Sequence, residues 1–277
     1  MAGFFGFFDY TKPGKGVDKE EFKPDISTFF RILFGRFWKF MQLNMLYFVC
    51  SLPMFAVMLL YVPLENPDSL DNILATYRLC VFFLLYFAVV GIAPLATGFT
   101  YVIRNFSSDR HSWVFSDFFE QIKKNYKQAF ALLAIDVAAV IVFPMVFTFY
   151  TNIMALGDVS ELMRNIALFS RTIIMIVGVI FFMAHFYIYQ IMITFDMKLL
   201  QILKNSLIFA VAHLPRNVAV LVLIFIIAAL VFGVSSFVGI LLSFLIAAGL
   251  ISFTVHFITQ PVVVRHMMKE ENSAART

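Results

Sequence analysis

The chain has 277 residues, of which 61% are hydrophobic, 17% aromatic and only 14% charged. Soluble domains have about 45–50% apolar and about 25% charged residues, so this composition excludes a soluble enzyme, a disordered chain and a nucleic-acid-binding module. The mean hydropathy of +0.88 instead predicts a polytopic membrane protein, and the length suits an all-α bundle of about six transmembrane helices.

Residues 1–27 are predicted to form a cytoplasmic N-terminal segment. Met1–Tyr10 is rich in aromatic residues, contains Asp9, and lacks the basic leader that precedes the apolar stretch of a secretory signal. The next residues are charged and include glycine and proline. We therefore expect the first hydrophobic run to enter the membrane uncleaved.

Residues 28–264 contain six hydrophobic runs, each long enough to cross about 30 Å of hydrocarbon at about 1.5 Å per helical residue. No ten-residue alternating segments indicate a barrel. The predicted spans are Phe37–Val62, Leu79–Ile103, Gln128–Tyr150, Thr172–Phe195, Leu214–Gly233 and Phe237–Val264. The last two form a tight hairpin, and residues 265–277 form a C-terminal tail.

Basic residues are distributed unevenly between the loops. Eighteen of the 21 Lys and Arg residues fall on the side that carries both termini, and three fall on the other side. The positive-inside rule then places both termini in the cytoplasm of a multi-pass plasma-membrane protein. Trp38 and Trp113 fall at the cytoplasmic ends of spans, where aromatic residues anchor helices. This distribution explains the net charge of +4 without a nucleic-acid partner.

The cytoplasmic loops contain a short repeat. The sequence QIKKN at residues 121–125 recurs 80 residues later as QILKN at residues 201–205. The chain can be interpreted as three units, each a basic interfacial helix followed by a membrane hairpin, as in other repeat-built membrane proteins. The three interfacial helices are predicted near residues 28–40, 115–127 and 197–213.

Two interpretations of these interfacial helices stay open. They rest on the membrane surface, with basic side chains at the headgroups and apolar side chains in the acyl region. Alternatively, they form a docking surface for a cytoplasmic partner. The candidate contact residues are Lys124, Asn125, Lys204 and Asn205.

Asp136 is the acidic residue well inside a span, eight residues from the cytoplasmic end of the third. An intramembrane carboxylate indicates either a functional site or a hydrogen-bonded group that fixes helix packing. His185 and His256 lie in spans four and six, nearer to mid-span. Each is a packed imidazole or a member of a proton relay with Asp136. Whether either histidine meets Asp136 stays open.

Four prolines lie inside spans one, two, three and six, where a missing backbone donor tends to kink a helix. They are Pro53, Pro94, Pro144 and Pro261. Packing geometry is the simpler interpretation of these kinks, and a substrate gate is the alternative. Span two also carries Gly91 and Gly98, which allow close helix approach.

Motifs for catalysis and ligand binding are missing. Cys50 and Cys80 have no C-x-x-C spacing, and no Cys/His ligand pattern is found. No catalytic or cofactor motif is present, so we expect no enzyme, no cofactor and no metal site. The cytoplasmic loops also lack the Glu-Ala-Ala core of an importer permease.

Several segments resemble the YesL-like family of Gram-positive membrane proteins. FDYTKPGKGV at residues 8–17 resembles the family's N-terminal signature, as do NMLYF at residues 44–48 and SLP at residues 51–53. APLATG at residues 93–98 is similar to the family's Gly-Pro-Ala-Thr stretch, although Ala93 and Leu95 depart from it. The segments that begin at Lys124-Asn125 and Lys204-Asn205 look like its two Lys-Asn loops.

This resemblance implies a function that the residues alone do not. The family is of unknown function, but its genes typically accompany carbohydrate importers of the ATP-binding-cassette type. The resemblance implies a non-enzymatic accessory membrane subunit that docks to the importer's permease, its ATPase or both. The residues keep a rival open, an independent, proton-coupled secondary transporter that uses Asp136. A homo-oligomer also stays open.

Overall fold

A computed structural model describes residues 25–53, 70–156, 158–233 and 235–274, and in these ranges all regular elements are helical. They are α1 (Ile26–Gly35), α2 (Phe37–Cys50), α3 (Leu70–Leu85), α4 (Leu95–Ser107), α5 (Val114–Ala155), α6 (Glu161–Thr194), α7 (Leu199–Ala212), α8 (Leu214–Phe232), α9 (Ser236–Leu242) and α10 (Ala248–Ala274). Two π-helical turns, Tyr86–Val90 and Ser243–Ala247, follow α3 and α9. The signature at residues 8–17 lies outside the described residues.

Four helical segments are long and apolar enough to cross a membrane, namely Val114–Ala155, Glu161–Thr194, Leu214–Phe232 and Phe237–Met267. A fifth candidate is the pair Leu74–Val90 and Leu95–Ser107, whose halves meet at 72°. These candidates overlap predicted spans two to six, as a multi-pass membrane protein requires. Predicted span one overlaps α2, and its last nine residues lie outside the described residues.

The three predicted interfacial helices differ in the structure. α1 and α7 are separate short helices, and Pro215 in the first turn of α8 marks the break after α7. Residues 115–127 instead form the first turns of α5 and continue into the span without a break. The reason is local, because no glycine or proline occurs in α5 before Pro144.

Side-chain caps fix the start of several helices. Asp25 Oδ1 accepts a hydrogen bond from Thr28 N at 2.7 Å and starts α1. Ser160 and Ser235 cap α6 and α9 in the same way. The N–H bond from Thr28 also holds the pKa of the Asp25 carboxyl below its usual value.

The densely packed part of the molecule surrounds α2. We call it the body, and it comprises α1–α4, α7–α10, residues 114–136 of α5 and residues 183–194 of α6. Phe40, Leu43 and Tyr47 of α2 are fully buried. The Tyr47 ring lies between those of Phe87 and Phe99, with both centroid separations at 4.3 Å. Offset aromatic stacking of this kind stabilises a core beyond the area that it buries.

α2 also binds the backbone at both π-helical turns. The Tyr47 hydroxyl accepts from Ile92 N at 2.8 Å, just after the first turn. Asn44 Nδ2 donates to the carbonyls of Ser243 and Phe244, at 2.8 and 2.7 Å, in the second turn. Gly249 N donates to Asn44 Oδ1 at 2.7 Å. Backbone groups freed by irregular turns inside a membrane need such partners.

The predicted proline kinks have different outcomes. Pro94 lies at the 72° break between α3 and α4, three residues after Gly91, whose φ of +77° suits glycine. Pro144 and Pro261 lie inside α5 and α10, which continue through them. Pro53 lies in a helical turn just after α2, where the described range ends.

The small-residue face predicted for span two is confirmed as a close helix contact. A Cβ atom added at Gly98 would meet the backbone carbonyl of Phe118 in α5. Thr97 Oγ1 also lies 3.4 Å from the carbonyl of Gln121. Small residues here let the backbones of α4 and α5 approach each other.

The outer halves of α5 and α6 extend away from the body as a hairpin. We call residues 137–182 the arm. Ala167 is the only buried residue among its described side chains. Many of its exposed side chains are large and apolar, as at Met145, Leu162 and Phe169. Apolar exposure of this extent suits lipid or protein contact within a membrane.

Candidate functional site: a buried carboxylate–imidazole pair

Asp136 and His185 meet where the arm leaves the body. Asp136 Oδ1 lies 3.1 Å from His185 Nε2, and their side chains are 1% and 0% exposed. α5 and α6 run antiparallel, so residues at equal counts from the end that carries Gln128 and Thr194 lie at equal depth. Asp136 is eight residues after Gln128, and His185 is nine residues before Thr194. These nearly equal counts in the sequence predict that Asp136 and His185 lie close together.

The hydrogen bonds fix the proton count of the pair. His185 Nδ1 lies 2.9 Å from the carbonyl oxygen of Phe181, which can only accept. Nδ1 therefore carries a hydrogen. His185 Nε2 then either donates to an ionised Asp136 or accepts from a protonated one. In both cases one proton lies between the residues and the pair has no net charge, which suits its burial.

Two polar atoms beside this pair have no hydrogen-bond partner among the described residues. They are Asp136 Oδ2 and the Tyr189 hydroxyl. Tyr189 follows His185 by four residues and so lies on the same face of α6. Sequence reasoning missed Tyr189, although this spacing within an apolar span could have identified it.

His256 does not contact Asp136. Its Nδ1 atom lies 2.9 Å from Gln190 Nε2, and its Nε2 atom has no partner in the described part of the chain. Gln190 also donates to Thr259 Oγ1 at 2.7 Å. Of the predicted cluster of Asp136, His185 and His256, only Asp136 and His185 are therefore joined by a direct hydrogen bond.

A small cavity separates the two histidines. It has a volume of about 10 Å³ and is bordered by His185, His256, Tyr189 and Thr100. A cavity of this size, with several polar groups around it, is just large enough for one water molecule. The relay predicted from the sequence would therefore need a bridging water between His185 and His256.

A much larger crevice opens between the arm and the body. Its volume is about 400 Å³, and Asp136 lies in its lining. Asp136 and Tyr86 are the lining residues whose side chains carry oxygen. Six aromatic rings contribute to the rest of the lining, those of Phe82, Tyr86, Phe143, Phe181, Phe182 and Phe225. The pair is therefore reached through an apolar, aromatic passage.

The four candidate contact residues lie around the connection between α6 and α7. A groove of about 710 Å³ is lined by residues 124–128 and 192–197. Gln128 Nε2 donates to the Met197 carbonyl at 2.9 Å. Asn205 Nδ2 lies 4.0 Å from the sulfur of Met197. The two Lys-Asn segments therefore meet at Met197, and Lys124 and Lys204 remain exposed.

A histidine pair lies near this end of the body. The rings of His213, between α7 and α8, and His266 of α10 are 5.1 Å apart. Partial burial lowers the pKa of His213, and the nearby His266 and Arg216 lower it further. The sequence analysis did not single out either residue.

Across the described ranges, no group of three or more His, Cys, Asp or Glu side chains could hold a metal ion. Cys50 and Cys80 are free thiols. No match to the chain is found among curated proteins or among solved structures. Residues 73–151, which include Lys124, Asn125 and Asp136, match the family described as "Protein of unknown function, DUF624", to which the YesL-like proteins belong.

Proposed function

We propose that the chain is a non-enzymatic accessory membrane subunit of a carbohydrate importer of the ATP-binding-cassette type. It docks to the permease, the ATPase or both. The observation that carries this proposal is the groove at residues 124–128 and 192–197, where the two Lys-Asn segments meet. The importer as partner comes from the resemblance to the YesL-like family.

The proposal includes a topology with six spans and both termini in the cytoplasm of the plasma membrane. In that topology the groove faces the cytoplasm, where an ATPase or the cytoplasmic loops of a permease are within reach. The repeated QIKKN and QILKN segments support an origin in repeated units of interfacial helix and hairpin, since both are helical. Lys124 and Asn125 of the first line the groove together with Met197, and Asn205 of the second lies beside the Met197 sulfur.

The groove has the chemistry of a protein-docking surface. Lys124, Lys127 and Asp196 are exposed lining residues, whereas the apolar side chains of Met192 and Ile193 are buried. Exposed charges of both signs suit a polar, non-obligate interface. A partner segment that carries charges of both signs fits this lining.

Affinity purification in mild detergent from the native host, with quantitative mass spectrometry, tests the proposal. We expect permease and ATPase subunits in stoichiometric yield. Alanine at Lys124, Asn125, Lys204 and Asn205 together should lower their recovery at least tenfold. Lys123→Ala is the matched control, because Lys123 is exposed beside the groove but does not line it. Equal recovery from all three chains would remove the groove as the docking surface.

A second candidate function is a proton-coupled secondary transporter. The observation that favours it is the Asp136–His185 pair, which holds one proton inside the apolar part of the bundle. Purified protein in vesicles should then carry substrate in response to an imposed pH gradient. Asp136→Asn should abolish that transport. Transport that continues in this variant would exclude Asp136 from the mechanism.

A further inference from the structure

The crevice between the arm and the body is shaped as a binding site rather than a packing defect. Its volume of about 400 Å³ lies within the range of small-molecule sites, about 300–1,000 Å³. It extends from Asp136 to Pro144 along α5, eight residues or about 12 Å of helix. α3, α5, α6 and α8 all contribute to its lining. A ligand there would be enclosed by both the arm and the body.

Asp136, in the lining of the crevice, has an unused hydrogen-bond acceptor. Asp136 is 1% exposed, its Oδ1 atom is engaged by His185, and its Oδ2 atom has no partner in the described part of the chain. A buried carboxylate oxygen without a partner is costly, so a ligand that carries positive charge to it is stabilised there.

The lining favours a cation with apolar groups around its charge. Six aromatic residues line a cavity whose acidic group is a single carboxylate. Aromatic faces attract organic cations, and more strongly away from water. The same rings exclude small hydrated ions, which would lose their hydration without replacement.

Charge balance decides what must leave when such a cation enters. The Asp136–His185 pair is neutral and shares one proton. A cation that entered without exchange would leave an uncompensated charge in the membrane, which is costly. If the shared proton leaves to solvent, the Asp136 carboxylate and the cation neutralise each other, and His185 stays neutral.

We propose that this crevice binds lipophilic organic monocations and that each bound cation replaces the proton shared by Asp136 and His185. The inference deepens the second candidate function, because it names the substrate class and rests on the proton site proposed there. It is independent of docking to an importer.

Other titratable groups that face the pair do not supply the exchanged proton. Tyr86 follows α3 and lines the crevice, and Tyr189 of α6 borders the small cavity. Both are phenols, which keep their protons at neutral pH. His256 of α10 lies across the small cavity, with its Nδ1 atom 2.9 Å from Gln190 Nε2 and Arg104 nearby. α8 contributes only the apolar Leu221 and Phe225 to the crevice.

Tetraphenylphosphonium is a suitable probe, because its charge is permanent and any proton released must come from the protein. Calorimetry on the full chain in lipid nanodiscs, in two buffers of different ionisation enthalpy, counts these protons. Empty nanodiscs correct for partition into lipid. We expect saturable binding with one proton released per cation. The dissociation constant should then rise tenfold for each unit of pH decrease, while the pair holds its proton.

Two variants test the location of the site. Asp136→Asn should weaken binding at least tenfold and stop proton release. Gly178→Leu should also weaken binding at least tenfold, because Gly178 lines the crevice and a Cβ there meets nothing within 4 Å. This variant should keep its thermal stability, since leucine favours a helix more than glycine does. Gly35→Leu, at another open glycine, is the matched control.

Three results would overturn the inference. The first is no saturable binding beyond that of empty nanodiscs, as expected if a lipid acyl chain holds the crevice. The second is equal binding of tetraphenylborate, which has the same shape and the opposite charge. The third is unchanged binding in Gly178→Leu and Asp136→Asn. Binding is measured without a pH gradient and is therefore independent of transport. If the protein binds the cation but does not transport it, the binding-site inference holds and only the proposed transporter function is rejected.

Discussion

The body and the arm differ in how their polar and apolar side chains are placed for a membrane environment. In the body, buried polar groups bind backbone on other helices, as Asn44 and Tyr47 do at the two π-helical turns. In the arm, residues 137–182 mostly face outward, and the contacts run between its own two helices, such as Phe143 with Phe181. Apolar composition alone therefore does not define a core in a membrane, because lipid also accepts apolar side chains.

Asp136 and His185 lie at the boundary between these two regions. The body holds both side chains, and the arm forms one wall of the crevice that leads to them. Substitutions in the body should therefore cost stability, whereas those in the arm should change binding or partner contacts. Four predictions test this contrast.

The largest effect is expected at Phe40. Its ring is fully buried against Phe106 and Phe253, with centroids 5.0 and 4.9 Å away. Phe40→Ala should destabilise the protein by about 3 kcal/mol, because it leaves a cavity that the neighbours cannot fill. Phe169→Ala in the arm, at 68% exposure, should cost less than about 0.5 kcal/mol. Unfolding in detergent micelles measures both, and equal losses would abolish the distinction between body and arm.

The next effect is expected at Asn44. Asn44→Leu keeps the size of the side chain but removes three hydrogen bonds to the backbone of residues 243–249. We expect a loss of about 2–3 kcal/mol, since the freed backbone groups are buried. Asn152→Leu, at an exposed position in the arm, is the control and should be neutral. A stable Asn44→Leu protein would mean that the second π-helical turn needs no external partner.

A pair of glycines gives a smaller contrast. At Gly91, φ is +77° and an added Cβ would lie 2.5 Å from Ala96 Cβ, so Gly91→Ala should cost about 2 kcal/mol. Gly178→Ala in the arm meets nothing and should be neutral or stabilising by up to about 1 kcal/mol. Thermal melting of both variants under one condition measures the difference. Similar shifts for the two would show that the bend after α3 is not a rigid part of the body.

The smallest effect is a pH dependence of the body. The pKa of folded His213 is lowered by burial, so the unfolded chain, with an ordinary histidine pKa near 6.5, binds the proton more readily. Above about pH 6.5 the His213 side chain is neutral in both the folded and the unfolded chain, so it does not oppose folding. Below that value the unfolded chain takes up the proton first, and the stability of the folded protein falls as the pH drops. His213→Gln should flatten part of this decline in melting temperature between pH 8 and 5. An identical decline in both proteins would contradict the sign of the shift.

Hydropathy predicted much of the fold, because the length of an apolar run is a property of the local sequence. Spans two to six correspond to candidate spans, and the absence of helix breakers before Pro144 explains why residues 115–127 join α5. The partners of the polar side chains were harder to predict. Counting residues from the shared end could have placed Asp136 beside His185. The Asn44 and Tyr47 contacts depend on the rotation of α2 and on two π-helical turns, which no local pattern in this sequence indicates.

The Asn44 contacts also set an order of events during synthesis. Asn44 binds atoms that lie 199 to 205 residues later in the chain. When α2 leaves the ribosome, its partners at residues 243–249 have not yet been translated. The Asn44 side chain of α2 therefore lacks its partners at residues 243–249 until the last hairpin enters the bilayer. Insertion of that hairpin closes the bundle, and the N-terminal and C-terminal ends of the membrane domain are completed together.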